Sequence, residues 1–301
     1  MSTEGFGKGL SNLVLYVAQP ALIFLAYLRP FDSKVLLNAA LVLVFSFLAQ
    51  GFFAAVAMML FKKAQDKARR MLRFATIFSN AAFMGIPLIS AVLGDEATLY
   101  ASVYNISFNL FLWSLGVHIC TTERDYDGDG DVDREIEAQH KKNASILTAL
   151  IHPVTIAAAL GLVFFFLPIE TYIPDIVIDA LTMLKNLVAP LSMTVIGLRL
   201  ADINFKGFFK DKYLYLFLGL RHFLLPIAVF IVMRLLMLTP LPISDVVITV
   251  ILIMSAAPAA SSATMFAEKY DCDAVYVSKL VAISTILSIL SMPLVSLLLN
   301  I

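Results

Sequence analysis

The stretch "SNAAFMGIPLISAVLGD", Ser79 to Asp95, decides how this chain is read. It places Asn80, Gly85 and Pro87 within a few turns of an apolar run. Asparagine is costly in lipid, glycine loosens a helix and proline removes a backbone donor. The surroundings make the question sharp. Of 301 residues 60% are hydrophobic, and the mean hydropathy is +0.88. Soluble domains are nearer ~45–50% apolar. Charged residues make up only 15% and cluster between long apolar runs. No ~10-residue alternating segments of the β-barrel kind occur. The fold class is therefore an all-α polytopic membrane protein. The formal net charge is +0, which points to no nucleic-acid partner.

Runs of ~20 apolar residues can cross a bilayer. Nine are predicted, at 10–29, 35–61, 72–93, 98–120, 146–167, 176–198, 214–238, 245–267 and 275–299. "KKAQDKARRMLR", Lys62 to Arg73, is the densest basic loop, so the positive-inside rule makes it cytosolic. Alternation then puts 121–145, 199–212 and 268–274 inside as well. The loops near 94–97, 168–175 and 239–244 carry no Lys or Arg, in agreement. Cys120 and Cys272 fall on the cytosolic side and are expected to be reduced thiols. No cleavable signal peptide is evident. The acidic loop at 121–145 holds Asp125, Asp127, Asp129, Asp131 and Asp133, which match the first part of a calcium loop. Its twelfth position is Ile136 instead of a bidentate Glu, so a solvated acidic loop is the expected reading.

The two halves resemble each other. "LVLYVAQPALIFLAYLRPFD" (Leu13 to Asp32) aligns with "MLKNLVAPLSMTVIGLRLAD" (Met183 to Asp202) at an offset of 170, the spacing of Pro20 and Pro190. The opening stretch aligns with "SAAPAASSATMFAEKYD" (Ser255 to Asp271) at an offset of 176, the spacing of Ser79 and Ser255. Arg29 is expected outside and Arg199 inside, so the repeats are inverted. Inverted repeats with matching broken helices point to a secondary transporter whose site lies near the midplane. Freed backbone groups are tolerated there because they line a wet cavity. The expected organisation is a first repeat at 1–120 with four spans, the acidic loop, and a second repeat at 146–301 with five.

Four segments, taken in order, are similar to the auxin efflux carrier family: "GLSNLVLYVAQPALIF", "SNAAFMGIPLISAVLGD", "VAPLSMTVIGLRLAD" and "SAAPAASSATMFAEKYD". The family includes plant auxin carriers of the PIN type and bacterial permeases linked to malate or malonate. The resemblance covers nearly the whole chain. It implies ten helices in two inverted five-helix repeats, with crossed, broken fourth and ninth spans. It also implies elevator-like alternating access. This sequence departs from the pattern by lacking the first span, and it has no long hydrophilic loop, as in bacterial-type members. A bacterial cytoplasmic membrane is the expected location.

Candidate substrate-binding residues follow from the breaks and the buried polar positions. Asn80, Gly85 and Pro87 form the first break, and Pro258 the second, with Ser261 and Ser262 just after it. Half-helix N-termini carry partial positive charge and free N–H groups, so two that converge could hold a carboxylate. Asn105 and Asn109 lie one turn apart on one helix face, and Gln19 stands beside Pro20. Lys185 lies ~10 residues, roughly 15 Å, into its span and is the charge or coupling candidate. Arg221 and His222 are expected to snorkel to the inner interface, with the true span starting near Gly219. Four scattered histidines give no metal-site spacing.

The expected function is a secondary transporter of a small organic anion, a dicarboxylate or an auxin-type monocarboxylate, without a cofactor. The coupling ion stays open between proton and sodium, and a homodimer stays open as the assembly. An intramembrane enzyme would need a convergent His, Glu or Asp set inside the bilayer, and none is visible. The alternative is a non-transporting membrane sensor or receptor that keeps the transporter fold.

Overall fold

The computed structural model describes residues 3–122, 153–167, 173–201, 208–270 and 272–297. The candidate calcium residues, Asp125 to Asp133, lie outside them. All regular structure among the described residues is helical, apart from one isolated antiparallel bridge between Ser79 and Ala259. That is what a bilayer demands: a spanning segment has no water to satisfy its backbone and must close its hydrogen bonds internally.

The helices are α1 (Thr3–Leu13), α2 (Gln19–Tyr27), α3 (Ser33–Met59), α4 (Asp66–Ile77), α5 (Ile86–Leu93), α6 (Thr98–Phe111) and α7 (Val117–Thr122). Then come α8 (Pro153–Phe166), α9 (Asp175–Asn186), α10 (Val188–Ala201), α11 (Lys212–Gly219) and α12 (Leu225–Leu236). The last are α13 (Asp245–Ala256), α14 (Ser262–Lys269) and α15 (Ala274–Leu297). Among the described residues, six continuous helical stretches are long and apolar enough to cross a membrane: Gly9–Tyr27, Ser33–Met59, Asp95–Thr121, Asp175–Leu198, Lys212–Leu236 and Ala274–Val295. Three shorter apolar helices join them, Ala81–Leu93, Pro153–Phe166 and Asp245–Ala256. The expected runs 72–93 and 245–267 are the two that come out interrupted.

The first interruption falls at Asn80, as the sequence put it, but not at Gly85 or Pro87. The helix stops at Ile77, and Phe78 and Ser79 are extended up to the cap at Asn80. Gly85 and Pro87 lie beyond the break, in continuous helical backbone. Pro87 is the second residue of α5, but the helix already runs from Ala81, so its missing N–H leaves one interior backbone bond unmade. α5 directly follows a π-helical turn, Ala81–Gly85. The same arrangement recurs at Val14–Ala18 before Pro20 and at Leu220–Leu224 before Pro226. π turns mark functional sites often enough to deserve note, and these three lie beside the groups described below.

Matching features recur at one spacing. Asp32 caps α3 by accepting from the Lys34 N–H, and Asp211 caps α11 by accepting from the Tyr213 N–H; the two aspartates are 179 residues apart. The helices α4 and α13 both have 12 residues, both start with Asp, and start 179 residues apart, at Asp66 and Asp245. Around the break this spacing differs from the sequence offset of 176.

Helices sort into two packed groups. α2 packs against α8 and α9, and α1 against α10. In the other group α3 packs on α4, α6 and α13, α12 on α13, and α15 on α4 and α14. The main core runs through both groups, from Leu22, Tyr27 and Ala158 in the first to Phe74 and Val250 in the second, and a small cluster of Val14, Phe83 and Val195 lies where the first group meets the π turn after Asn80. The α9 helix has no buried residue, and Ile176 and Met183 stand open as a lipid-facing surface requires.

The basic segment at 62–73 is not all solvated loop. α4 starts at Asp66, and Arg70 and Arg73 are buried. Arg70 bonds the Cys120 carbonyl at 2.8 Å and Asp66 at 2.9 Å, and Arg73 bonds the Met58 carbonyl at 3.0 Å. Each guanidinium closes orphan carbonyls in the last turn of a neighbouring helix, where cations are favoured.

Candidate functional site

The two interrupted helices meet at their breaks. The Asn80 N–H donates to the Pro258 carbonyl at 2.7 Å, and the Ala260 N–H donates to the Phe78 carbonyl at 2.9 Å. A two-bond antiparallel bridge needs extended backbone on both sides. The helix ends at Phe78 and Ala257 supply it, with ψ of 119° and 145°. Chains that run in opposite directions thus touch at one point, with α4 and α13 ending there and the Ala81 turn and α14 starting there. Small residues allow the approach: Ala256, Ala257, Ala259, Ala260 and Ala263 are all buried.

The starting ends are open. Asn80 caps the Ala81 turn and Ser261 caps α14, and neither side chain bonds its own helix's N–H groups. Instead the Ser261 hydroxyl points at the Asn80 side-chain oxygen, 3.4 Å away. Gln19 comes in from the other helix group and donates its amide to the Ala82 carbonyl. It is fully buried, and its side-chain oxygen has no partner among the described residues. Ser262 is half-buried at the first position of α14. Pro258 joins through its carbonyl. The structure therefore brings Asn80, Ser261, Ser262, Pro258 and Gln19 to one place.

Other expected residues have different settings. Gly85 serves helix packing: a Cβ there would lie 2.6 Å from Met254 Sδ on α13. Pro87 starts α5. Asn105 and Asn109 are buried on α6. Lys185 is not a lone charge. It bonds Asp95 at 2.7 Å, with side-chain exposures of 20% and 49%. Arg29 pairs beside it with Glu96 at 3.0 Å. Both pairs tie the first helix group to the turn at Asp95–Ala97, at the rim of a cavity of about 350 Å³ lined by Leu22, Ile178 and Thr182 among others. Asp95 escaped the sequence reading because it lies in a loop, not in Lys185's own span.

Arg221 and His222 overturn the snorkelling expectation. Lys212–Leu236 is one continuous helical stretch, and both residues lie in its interior π turn, 0% and 1% exposed. Arg221 donates to the Ala257 carbonyl from Nε at 3.1 Å and from Nη2 at 2.6 Å, and to the Thr76 carbonyl from Nη1 at 3.2 Å. These carbonyls end α13 and α4, the two helices that stop at the crossing. The guanidinium also lies 5.6 Å from the Phe53 ring centroid. His222 bonds Ser291 and Ser284, each at 2.8 Å, and the Ser284 oxygen accepts the Ala259 N–H at 3.0 Å. Interior acceptors at the two breaks keep the arginine from needing the interface.

Such a crossing inside an apolar helical bundle defines a polytopic integral membrane protein. The chain matches, over residues 3–296, the model of the family described as Membrane transport protein, and it belongs to that family, which holds the auxin efflux carriers. It is a family of transporters, not of enzymes. The chain is also similar to an uncharacterized transporter of Methanocaldococcus jannaschii, 25% identical over 291 residues that cover 95% of this chain and 88% of that protein.

Proposed function

We propose that this protein is a secondary transporter of a small organic anion, bound through a carboxylate at the crossing and carried by elevator-like alternating access. The observation that carries the reading is the pair of uncapped helix starts at Asn80 and Ser261, held together by the reciprocal bonds between Asn80 and Pro258 and between Ala260 and Phe78. Uncapped N–H groups and the positive ends of two helices form an anion site. Asn80 and Ser261 add donors, and the unpartnered Gln19 oxygen accepts from a hydroxyl or protonated group of the substrate.

The moving body is the group built from α3–α7 and α11–α15, and the body it slides against contains α1, α2 and α8–α10. The halves 1–120 and 146–301 are inverted repeats. The recurring 179-residue spacing of Asp32 with Asp211 and of Asp66 with Asp245 supports this. The membrane is the cytoplasmic membrane of a bacterium.

The test is uptake of labelled malate, malonate or an indole monocarboxylate into liposomes that hold the purified protein. Saturable accumulation that competing carboxylates block is the expected result. Tight carboxylate binding without any flux would replace the transporter with a sensor of the same fold.

A further inference from the structure

A buried arginine in lipid-embedded protein ordinarily finds a carboxylate, because an unpaired ion in a low-dielectric interior carries a large desolvation penalty. Arg221 makes no ion pair among the described residues. Its side-chain bonds go to two backbone carbonyls, Thr76 and Ala257. Those carbonyls belong to the carboxyl ends of α4 and α13, each a 12-residue helix. Each such end carries roughly −0.5 of an elementary charge, so the converged pair amounts to about −1. The guanidinium is therefore matched to the two helix ends jointly, not to either alone.

The consequence lies on the other side of the crossing. The starting ends at Asn80 and Ser261 carry roughly +0.5 each. Without Arg221 the four ends would sum to about zero, and the crossing would present a weak, short-ranged field. With Arg221 the negative ends are neutralised and an excess of about one positive charge is left facing the substrate side. The charge is also single. At the 179-residue spacing of Asp32 and Asp211, the position matching Arg221 is Val42, which is buried and apolar.

We propose that Arg221 is a positioning residue that holds both helix ends at the crossing, and that its charge, acting through the backbone, sets the site's preference for a single anionic group. Arg221 does not touch the substrate. The inference rests on the anion-transport reading above, and the experiment separates the two.

Arg221→Met keeps the bulk and removes the charge, whereas Arg221→Lys keeps the charge and loses the fork. The wild type and both variants go into liposomes, and uptake of the labelled carboxylate is measured against concentration. Amide exchange is followed in parallel on peptides that cover 78–84 and 256–264. Loss of a charged hydrogen bond is worth about tenfold or more. The expected result for Arg221→Met is an apparent KM raised at least ~10-fold, and faster exchange at Asn80 and Ala260 together. Arg221→Lys should recover most of the KM. A Met variant with wild-type KM and exchange would overturn the proposal. So would a Lys variant worse than Met, which would mean that packing and not charge is what matters. If the wild type moves no carboxylate, the transport reading fails on its own. The exchange result still decides whether Arg221 positions the crossing.

Discussion

Asn80 and Pro258, 178 positions apart in the chain, are joined by one hydrogen bond of 2.7 Å from the Asn80 N–H to the Pro258 carbonyl. The return bond from Ala260 to Phe78 makes the contact a closed two-bond ring. The backbone of the crossing is thus satisfied by itself, without the side chains of Asn80 and Ser261. This predicts that Asn80→Ala and Ser261→Ala fold normally but bind substrate poorly. Each should raise the apparent KM about tenfold, the worth of one hydrogen bond to a charged group. The melting temperature in detergent should move by only a few degrees, since a loss of 1 kcal/mol at this size costs ~2–4 °C. Unchanged KM values in both variants would move the site away from the crossing.

Pro87 and Pro258 should behave differently, although the sequence suggests one role for both. Pro87 lies in helical backbone that runs unbroken from Ala81 to Leu93. Pro258 lies in the extended break, with its carbonyl in the bridge. Pro87→Ala should transport within about twofold of wild type, because alanine keeps the helix and restores an interior N–H. Pro258→Ala frees the chain at the break and should lower the melting temperature and the transport rate together. Equal losses in the two single variants would contradict this placement.

Gly85 fits against Met254 so closely that any Cβ meets the sulfur at 2.6 Å. Gly85→Ala should therefore cost about 1–3 kcal/mol by overpacking. Met254→Ala should recover part of that loss in the double variant, although it leaves a cavity when made alone. A double-mutant cycle on thermal unfolding in detergent measures the coupling. Additive effects would mean that the two residues do not share the space.

Lys185 and Asp95 form a pair across the two helix groups, with Arg29 and Glu96 beside it. If the groups slide past each other, these pairs hold one position of the slide and take no part in substrate binding. The partly exposed Lys185–Asp95 pair contributes only ~0–1 kcal/mol to stability. Lys185→Asp with Asp95→Lys should then recover the transport lost in Lys185→Ala. A lysine that bound substrate would not be rescued by a charge swap on its partner. Failure of the swap would restore Lys185 as a ligand.

The sequence made much of the fold legible, and its misses have physical causes. Long apolar runs and their flanking charges show which segments are helical, because lipid allows little else. The interrupted spans were visible as Asn80 and Pro258 inside such runs, since those residues are expensive there. The extent of the first interruption was not visible. A proline held inside a helix and a proline at a break look alike in sequence, so Pro87 drew attention away from Phe78 and Ser79. Arg221 and His222 were misread because their acceptors are backbone carbonyls, which leave no trace in side-chain identity. The partner of Lys185 was not visible because Asp95 lies 90 positions away in sequence.

The same blindness hides the last of the crossing's supports. The Ala259 N–H is held by Ser284, whose hydroxyl also meets His222 Nε2, and His222 Nδ1 meets Ser291. Ser284 accepts the backbone N–H, which leaves its own proton free to donate to Nε2; Nδ1–H then donates to Ser291. On this assignment the two serines are not equivalent. Ser291→Ala removes one acceptor from a histidine. Ser284→Ala strands a backbone donor at the crossing itself, at a cost of about 1–3 kcal/mol. Ser284→Ala should therefore lower the melting temperature more than Ser291→Ala. It alone should speed amide exchange at Ala259. Transport should follow the same order, since a loosened break misplaces the helix starts that face the substrate. If Ser291→Ala is as damaging at Ala259 as Ser284→Ala, the histidine is what holds the break, and the serines merely fill its two sides.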